Sequence, residues 1–188
     1  MDQERSCITF VNNRIYKHKV LRVNYTTYDM RRAQDSMNPR KNADIMVLSH
    51  GNDEDKEKRH PYWYARIIGV FHVNVRHIGP TSKCSDQQKV DFLWVRWFSS
   101  DMGYRAGWKA RRLHRVRFTD HNSTNSFGFL NPKEVIRGVH LIPAFESGRT
   151  SVYLAPSVAR QPGEKHEDWV YYYVNMYVDS LYVYCNVY

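Results

Sequence analysis

Cysteine, glycine, proline and acidic residues are all scarce in this sequence, and so are long apolar runs. Its three cysteines, Cys7, Cys84 and Cys185, lie far apart, with none of the paired spacing that a zinc ribbon or a disulfide framework needs. No metal, cofactor or cross-link is read from them, and a reducing compartment is expected, nuclear or alternatively cytoplasmic. The seven prolines and nine glycines build no low-complexity tract and no linker. One domain over residues 1–188 is the expectation, at a length that supports a core without staples. The longest uncharged aromatic run, residues 169–178, is about half a membrane span, and the first six residues (MDQERS) carry charge where a secretory signal would be apolar. No membrane is expected as a partner.

The acid deficit is sharper: 19 Asp and Glu stand against 28 Lys and Arg, a formal charge of +9, a balance suited to polyanions. Aromatic residues are plentiful at 14%, which favours strands. The clearest strand covers residues 62–77 (YWYARIIGVFHVNVRH), where Trp63, Ala65, Ile67, Gly69, Phe71, Val73 and Val75 alternate with a more polar set, so the odd-numbered residues are expected inside. Gly69 near its middle suggests a bulge or bend of the kind a small barrel requires. Residues 44–49, 90–98, 139–145 and 169–178 read as further strands, with Phe92, Trp94 and Phe98 expected in one core with Ile67 and Phe71. Helix signals are few. Thr27 caps a short predicted helix over 28–36, and Asn131, Pro132 and Glu134 stand in cap, first-turn and N3 order. Charged and polar loops are expected at 51–59, 79–88 and 119–126.

Two resemblances follow from these blocks. The run 24–29 (NYTTYD), then 44–49, 62–77, 92–98 (FLWVRWF), 107–113 (GWKARRL), 127–130 (FGFL) and 135–145 (VIRGVHLIPAF) resembles a segment of large transposon-associated proteins of basidiomycete fungi, of the Plavaka and Kyakuja-Dileera-Zisupton kind. The resemblance covers about residues 22–178. It implies that the transposase core lies elsewhere in such a polypeptide and that this segment is an accessory region. A more local similarity, carried by the strand at 44–48, Tyr64-Ala65-Arg66-Ile67, Val95-Arg96-Trp97-Phe98 and Val135-Ile136-Arg137-Gly138, is to the bromo-adjacent homology domain. That similarity implies an SH3-like barrel elaboration serving as a protein- or nucleosome-binding platform. The chain departs from the fungal pattern at 179–188, where a neutral aromatic tail stands in place of the expected basic segment, so a truncated or altered terminus is the expectation. The fold expected is mainly β, a bent barrel or SH3-like sheet with one or two short helices.

The most specific chemical feature is residues 105–117 (RAGWKARRLHRVR), with six cations and no acid. Arg105, Lys109, Arg111, Arg112, Arg115 and Arg117 suit phosphate contacts, because each neutralised phosphate releases counterions. Trp108 and His114 interleave and could stack on an unpaired base. The plain alternative is a solvated basic loop. A second candidate is an aromatic cage for a methylated lysine from Tyr62, Tyr64 and Trp97, weighed against ordinary core packing. The nine histidines show no metal-binding spacing, and Asp29, Asp35 and Asp44 lack the alternating strand-helix frame of a two-metal nuclease. No phosphate loop, nucleophile elbow or Cys-His pair is readable, so an enzyme is not expected. The function read from the sequence is non-catalytic binding of nucleic acid or chromatin in a mobile-element protein, with other regions of that protein as further possible partners. The alternative is an inactive structural remnant or fragment of a transposase. DNA, RNA and histone are not distinguished.

Overall fold

The computed structural model describes residues 7–26, 30–49, 60–79, 82, 86–161 and 163–175. The loop expected at 51–59 and the tail at 179–188 lie outside them. Thirteen strands follow in order: β1 (Ile8–His18), β2 (Leu21–Thr26), β3 (Arg32–Met37), β4 (Asp44–Leu48), β5 (Tyr62–His77), β6 (Gln88–Ser100), β7 (Arg115–Phe118), β8 (Phe127–Leu130), β9 (Val135–Gly138), β10 (His140–Pro143), β11 (Arg149–Thr150), β12 (Asp168–Trp169) and β13 (Tyr172–Asn175). Among the described residues, helix is confined to three-residue 3-10 turns at Trp108–Ala110, Pro132–Glu134 and Phe145–Ser147. The second is the turn expected at Asn131, whose Oδ1 accepts from the Lys133 N–H at 3.0 Å. The chain is mainly β.

The main sheet runs β10-β13-β7-β6-β5-β4-β9, with β1 added along β5 and β8 along β6, and every pair is antiparallel. Strands β9 and β10 hold opposite edges of this order, yet only Val139 separates them in sequence. Six flat inter-strand gaps would span about 29 Å, whereas one residue advances the chain by about 3.8 Å. The sheet therefore curls until its edges meet at Val139, whose N–H donates to the Asp44 carbonyl on β4 at 2.9 Å. The curl is closed by the chain rather than by a ladder between β9 and β10.

Curling gives the central strands two buried faces. Inside lie Met46, Tyr62, Tyr64, Phe98, Val116, Phe118, Leu141, Tyr172 and Val174. Outside, Ile45, Val47, Ala65, Ile67, Val70, Leu93 and Val95 are covered by Met37 of the β2–β3 hairpin, Leu130 of β8 and Val135 of β9. This corrects the expected facing of β5. Tyr62 and Tyr64 are buried while Trp63 is 43% exposed, because the even-numbered residues fill the curl and the odd-numbered ones continue beneath the outer layer. A bulge between Ile67 and Gly69 then shifts the alternation, so that Val70 joins Ile67 on the same face. A Cβ at Gly69 would lie 2.3 Å from the Phe71 ring, which folds back over the bulge. Likewise Leu93 and Val95, not Phe92 and Trp94, pack with Ile67. Phe92 and Trp94 are half-buried, Phe92 stacks on Phe71, and Phe98 belongs to the inner cluster.

Two further expectations change. Residues 32–37 form β3 and not the end of a helix, since Ala33, Asp35 and Met37 alternate inward; residues 27–29 lie outside the described part. The aromatic run at 169–178 is broken after Trp169, with β12 pairing β11 and β13 pairing β10 and β7.

Charge also enters the curl. Asp44, Arg66 and Arg96 stand directly opposite one another across β4, β5 and β6, which sets two guanidinium groups side by side. Like charges so placed repel, and three carboxylates offset them. Asp44 accepts from Arg66 at 2.6 and 3.0 Å, Glu164 accepts from Arg66 at 2.6 Å, and Asp168 accepts from Arg96 at 2.9 and 3.1 Å. Burial opposes the charge of Arg66, but Asp44 together with Tyr172 and Glu164 outweighs it and keeps the guanidinium charged. Arg160 also donates to Asp168, at 3.1 Å, and to the Leu154 carbonyl. These pairs fasten the segment between β11 and β12 across the inner cluster.

Candidate nucleic-acid interface

The basic run lies in the connection from β6 to β7 and on β7 itself. Asp101 organises its start: its Oδ1 accepts from the Gly103 N–H and its carbonyl from the Tyr104 N–H, while its own N–H donates to the Arg115 carbonyl. Beyond Tyr104 the loop closes on itself. The Gly107 N–H donates to the Arg112 carbonyl at 2.8 Å, and the turn Trp108–Ala110 fills the interval. The reversal needs a left-handed backbone at Gly107 (φ +95°) and at Arg111 (φ 50°).

This closed loop divides the expected contact residues into three groups. Arg105, Lys109, Arg111 and Arg112 are exposed on the loop, and Arg117 is exposed on the outward face of β7. None of these five forms an ion pair among the described residues. Arg115 differs: its guanidinium donates twice to Asp101, at 2.9 and 2.6 Å, and is held between the rings of Tyr104 and Tyr171 at 4.0 and 4.2 Å. So committed, Arg115 is a brace for the loop rather than a phosphate contact. His114 is half-buried against His60, ring centroids 3.9 Å apart, and burial lowers its pKa. His60 is pushed down to about 4, by burial first and by His114 second. His114 is therefore neutral at physiological pH and covered by a neighbour, which removes it as a cation and as a stacking surface. The side chain of Trp108 lies outside the described part of the structure.

Two acids beside the Arg115 brace, Asp101 and Glu146, are both occupied. Asp101 is taken by Arg115. Glu146 accepts from the Tyr173 hydroxyl at 2.6 Å, a bond that pushes the Tyr173 phenol up to about 12 and holds the Glu146 carboxyl below its usual range. The positive charge of Arg105, Lys109, Arg111, Arg112 and Arg117 is left uncompensated. Sequence reasoning missed the tyrosines that build the brace, Tyr104, Tyr171 and Tyr173. The aromatic excess is the signal that could have found them.

The aromatic cage is not formed. Tyr62 and Tyr64 are 2% exposed inside the curl, whereas Trp97 lies opposite Ala65 on the outer face, where it meets Trp63 edge to face. The three rings are on two sides of one sheet. Of the three carboxylates considered for a two-metal site, Asp44 holds Arg66 and Asp35 accepts from the Gly138 N–H at 3.1 Å and from Arg137 at 3.4 Å; Asp29 lies outside the described residues. Asp44 and Asp35 thus have structural partners. Among the described residues no helix is long and apolar enough to cross a membrane. No protein-family model, curated protein or solved structure matches this chain.

Proposed function

We propose that this chain is a non-catalytic binding module that holds nucleic acid by its phosphate backbone, through Arg105, Lys109, Arg111, Arg112 and Arg117. One observation carries the reading: five exposed cations share one braced loop and strand, while the nearby acids Asp101 and Glu146 are consumed by Arg115 and Tyr173. A loop closed before binding loses little entropy when phosphates dock. With no base-reading element among the described residues, weak sequence preference is expected, and backbone contact supplies the affinity. The setting is the mobile-element protein that the sequence blocks resemble, with nuclear DNA, free or in chromatin, as partner and a cytoplasmic RNA as the alternative.

The test is a titration of labelled duplex and single-stranded DNA at several salt concentrations. Each engaged cation adds about 0.9 to the slope of log affinity against log salt on a duplex. Replacing both Arg111 and Arg112 by Ala should flatten the slope by nearly two units, while Lys133→Ala, on the Pro132–Glu134 turn, leaves it unchanged. No binding at low salt, or an unchanged slope in the double variant, would remove this loop as the site and leave the inactive-remnant reading ahead.

A further inference from the structure

Three strands bring together residues that no sequence spacing connects. His18 ends β1, His72 lies on β5 and Asp91 on β6, with Tyr16, His72 and Asp91 in direct register across the three strands and His18 two residues beyond Tyr16 on the same face. The ligand-type atoms of the three, one from each, all lie within 4.8 Å of one another. His18 Nε2 and His72 Nδ1 are 2.5 Å apart, closer than an ordinary N–H···O separation of roughly 2.7–3.2 Å. Two ring nitrogens that meet head-on in this way share one proton in a hydrogen bond, and an ion bound there would take the place of that proton.

We propose that His18, His72 and Asp91 bind one divalent transition-metal ion, zinc by ligand class, through His18 Nε2, His72 Nδ1 and one Asp91 oxygen. Two imidazoles and a carboxylate suit zinc and its late first-row neighbours and disfavour magnesium and calcium, which take oxygen ligands. Zinc has no directional demand from its d electrons, so it tolerates a site set by strand register. Zn–N bonds of about 2.0–2.1 Å at a tetrahedral angle put the two nitrogens about 3.4 Å apart, so the rings open by about 0.9 Å to admit the ion.

The surroundings favour ligation. Tyr16 stacks on His72 with centroids 4.6 Å apart and planes 7° apart, and His18 meets His72 nitrogen to nitrogen with centroids 4.8 Å apart, so the His72 ring is oriented before any ion arrives. Lys89 pairs with one Asp91 oxygen at 2.9 Å, an exposed contact that an incoming ion would have to compete with. Three protein ligands leave a fourth position for water, the pattern of an open rather than a closed zinc site.

The experiment is a competition titration of the full chain with zinc against a chromophoric chelator, repeated with magnesium, and with cobalt as a spectroscopic substitute. One zinc is expected per chain at this site, with no competition by magnesium. Asp91→Asn, exposed and isosteric, and His72→Ala should each weaken zinc binding at least about tenfold, the minimum that loss of even an outer partner costs. His140→Gln on the exposed edge of β10 should leave it unchanged. Because His72→Ala also removes a ring packed on Tyr16, the second measurement uses the unaltered chain: paramagnetic cobalt should broaden backbone resonances around residues 16–18, 70–74 and 89–93 before any others. Affinity unchanged in Asp91→Asn and His72→Ala, or broadening centred elsewhere, would overturn the proposal.

Discussion

The side-by-side arginines inside the curl make Asp168 the most consequential single carboxylate in the molecule. Its side chain is fully buried and accepts from Arg96 at 2.9 and 3.1 Å and from Arg160 at 3.1 Å. Asp168→Asn keeps the shape and removes the charge, leaving Arg96, 2% exposed and opposite Arg66, with no counter-ion on its own side of the row. Removing one partner of a buried pair costs about 3–5 kcal/mol, a large share of a total stability of roughly 5–15 kcal/mol. With a urea m-value near 2 kcal/mol/M, the unfolding midpoint should fall by about 1.5–2.5 M at unchanged m. Urea titration followed by tryptophan fluorescence and far-UV circular dichroism measures this directly. The complementary variant replaces Arg96, Arg160 and Asp168 together by Met, Met and Leu. Apolar groups of similar volume often match or exceed a buried ionic cluster, so this triple variant should recover most of the loss. A midpoint in Asp168→Asn within about 0.2 M of the parent would show that the carboxylate is solvated and that the row across β4, β5 and β6 is held by other means.

Two other outcomes follow from local geometry. His60 is depressed to about 4 in the folded chain against 6.5 when unfolded, so the unfolded state binds the extra proton between those values. The stability that a neutral His60 contributes is complete above pH 6.5 and is lost as pH falls toward 4, by about 3 kcal/mol in all. Stability curves at pH 7 and pH 4.5 should converge in His60→Phe relative to the parent, and an identical pH dependence in both proteins would refute the assignment. Gly128→Ala places a Cβ 2.7 Å from the Trp97 indole nitrogen and should cost about 1–3 kcal/mol with a red-shifted tryptophan emission. An unshifted spectrum and midpoint would mean that Trp97 already has room to move.

Strand positions were legible where apolar residues dominate: Tyr62–His77 is one strand with its bend at Gly69, as the alternation and the glycine predict. Which face was inside was not legible, because the curl buries Tyr62, Tyr64 and Arg66 as fully as Ala65 and Ile67, and a period of two then marks neither side. β1 went unread for a different reason. Its side chains are mostly exposed, and left-handed Asn12 and Asn13 interrupt its pairing between Phe10 and Ile15, so it carries little of the apolar signal of a strand. At 28–36 a local cap and a downstream proline suggested helix, and the packing of Met37 and Asp35 against Gly138 overrode them. The basic loop was legible as composition, but the diversion of Arg115 to Asp101 depends on a turn that only the fold creates.

The described arginines of this basic chain, of formal charge +9, fall into two groups. Within the curl, Arg66, Arg96 and Arg160 are matched one for one by Asp44, Glu164 and Asp168, so the interior is ionic yet neutral. Arg115 is cancelled by Asp101 and covered by two rings, and what it contributes is stiffness at the base of the loop. Among the described residues, Arg105, Lys109, Arg111, Arg112 and Arg117 stand outside these pairs, with their heads exposed to water. Such groups add little to folding, since exposed charges are worth a fraction of a kcal/mol. Their field, by contrast, is available to a ligand and is screened over about 10 Å at 0.1 M salt. Under the proposed function, a loop whose cations are redundant for stability would gain or lose a polyanion without disturbing the fold. That separation is what lets Arg111 and Arg112 be exchanged to test binding while the Arg66–Arg96 row keeps the sheet intact.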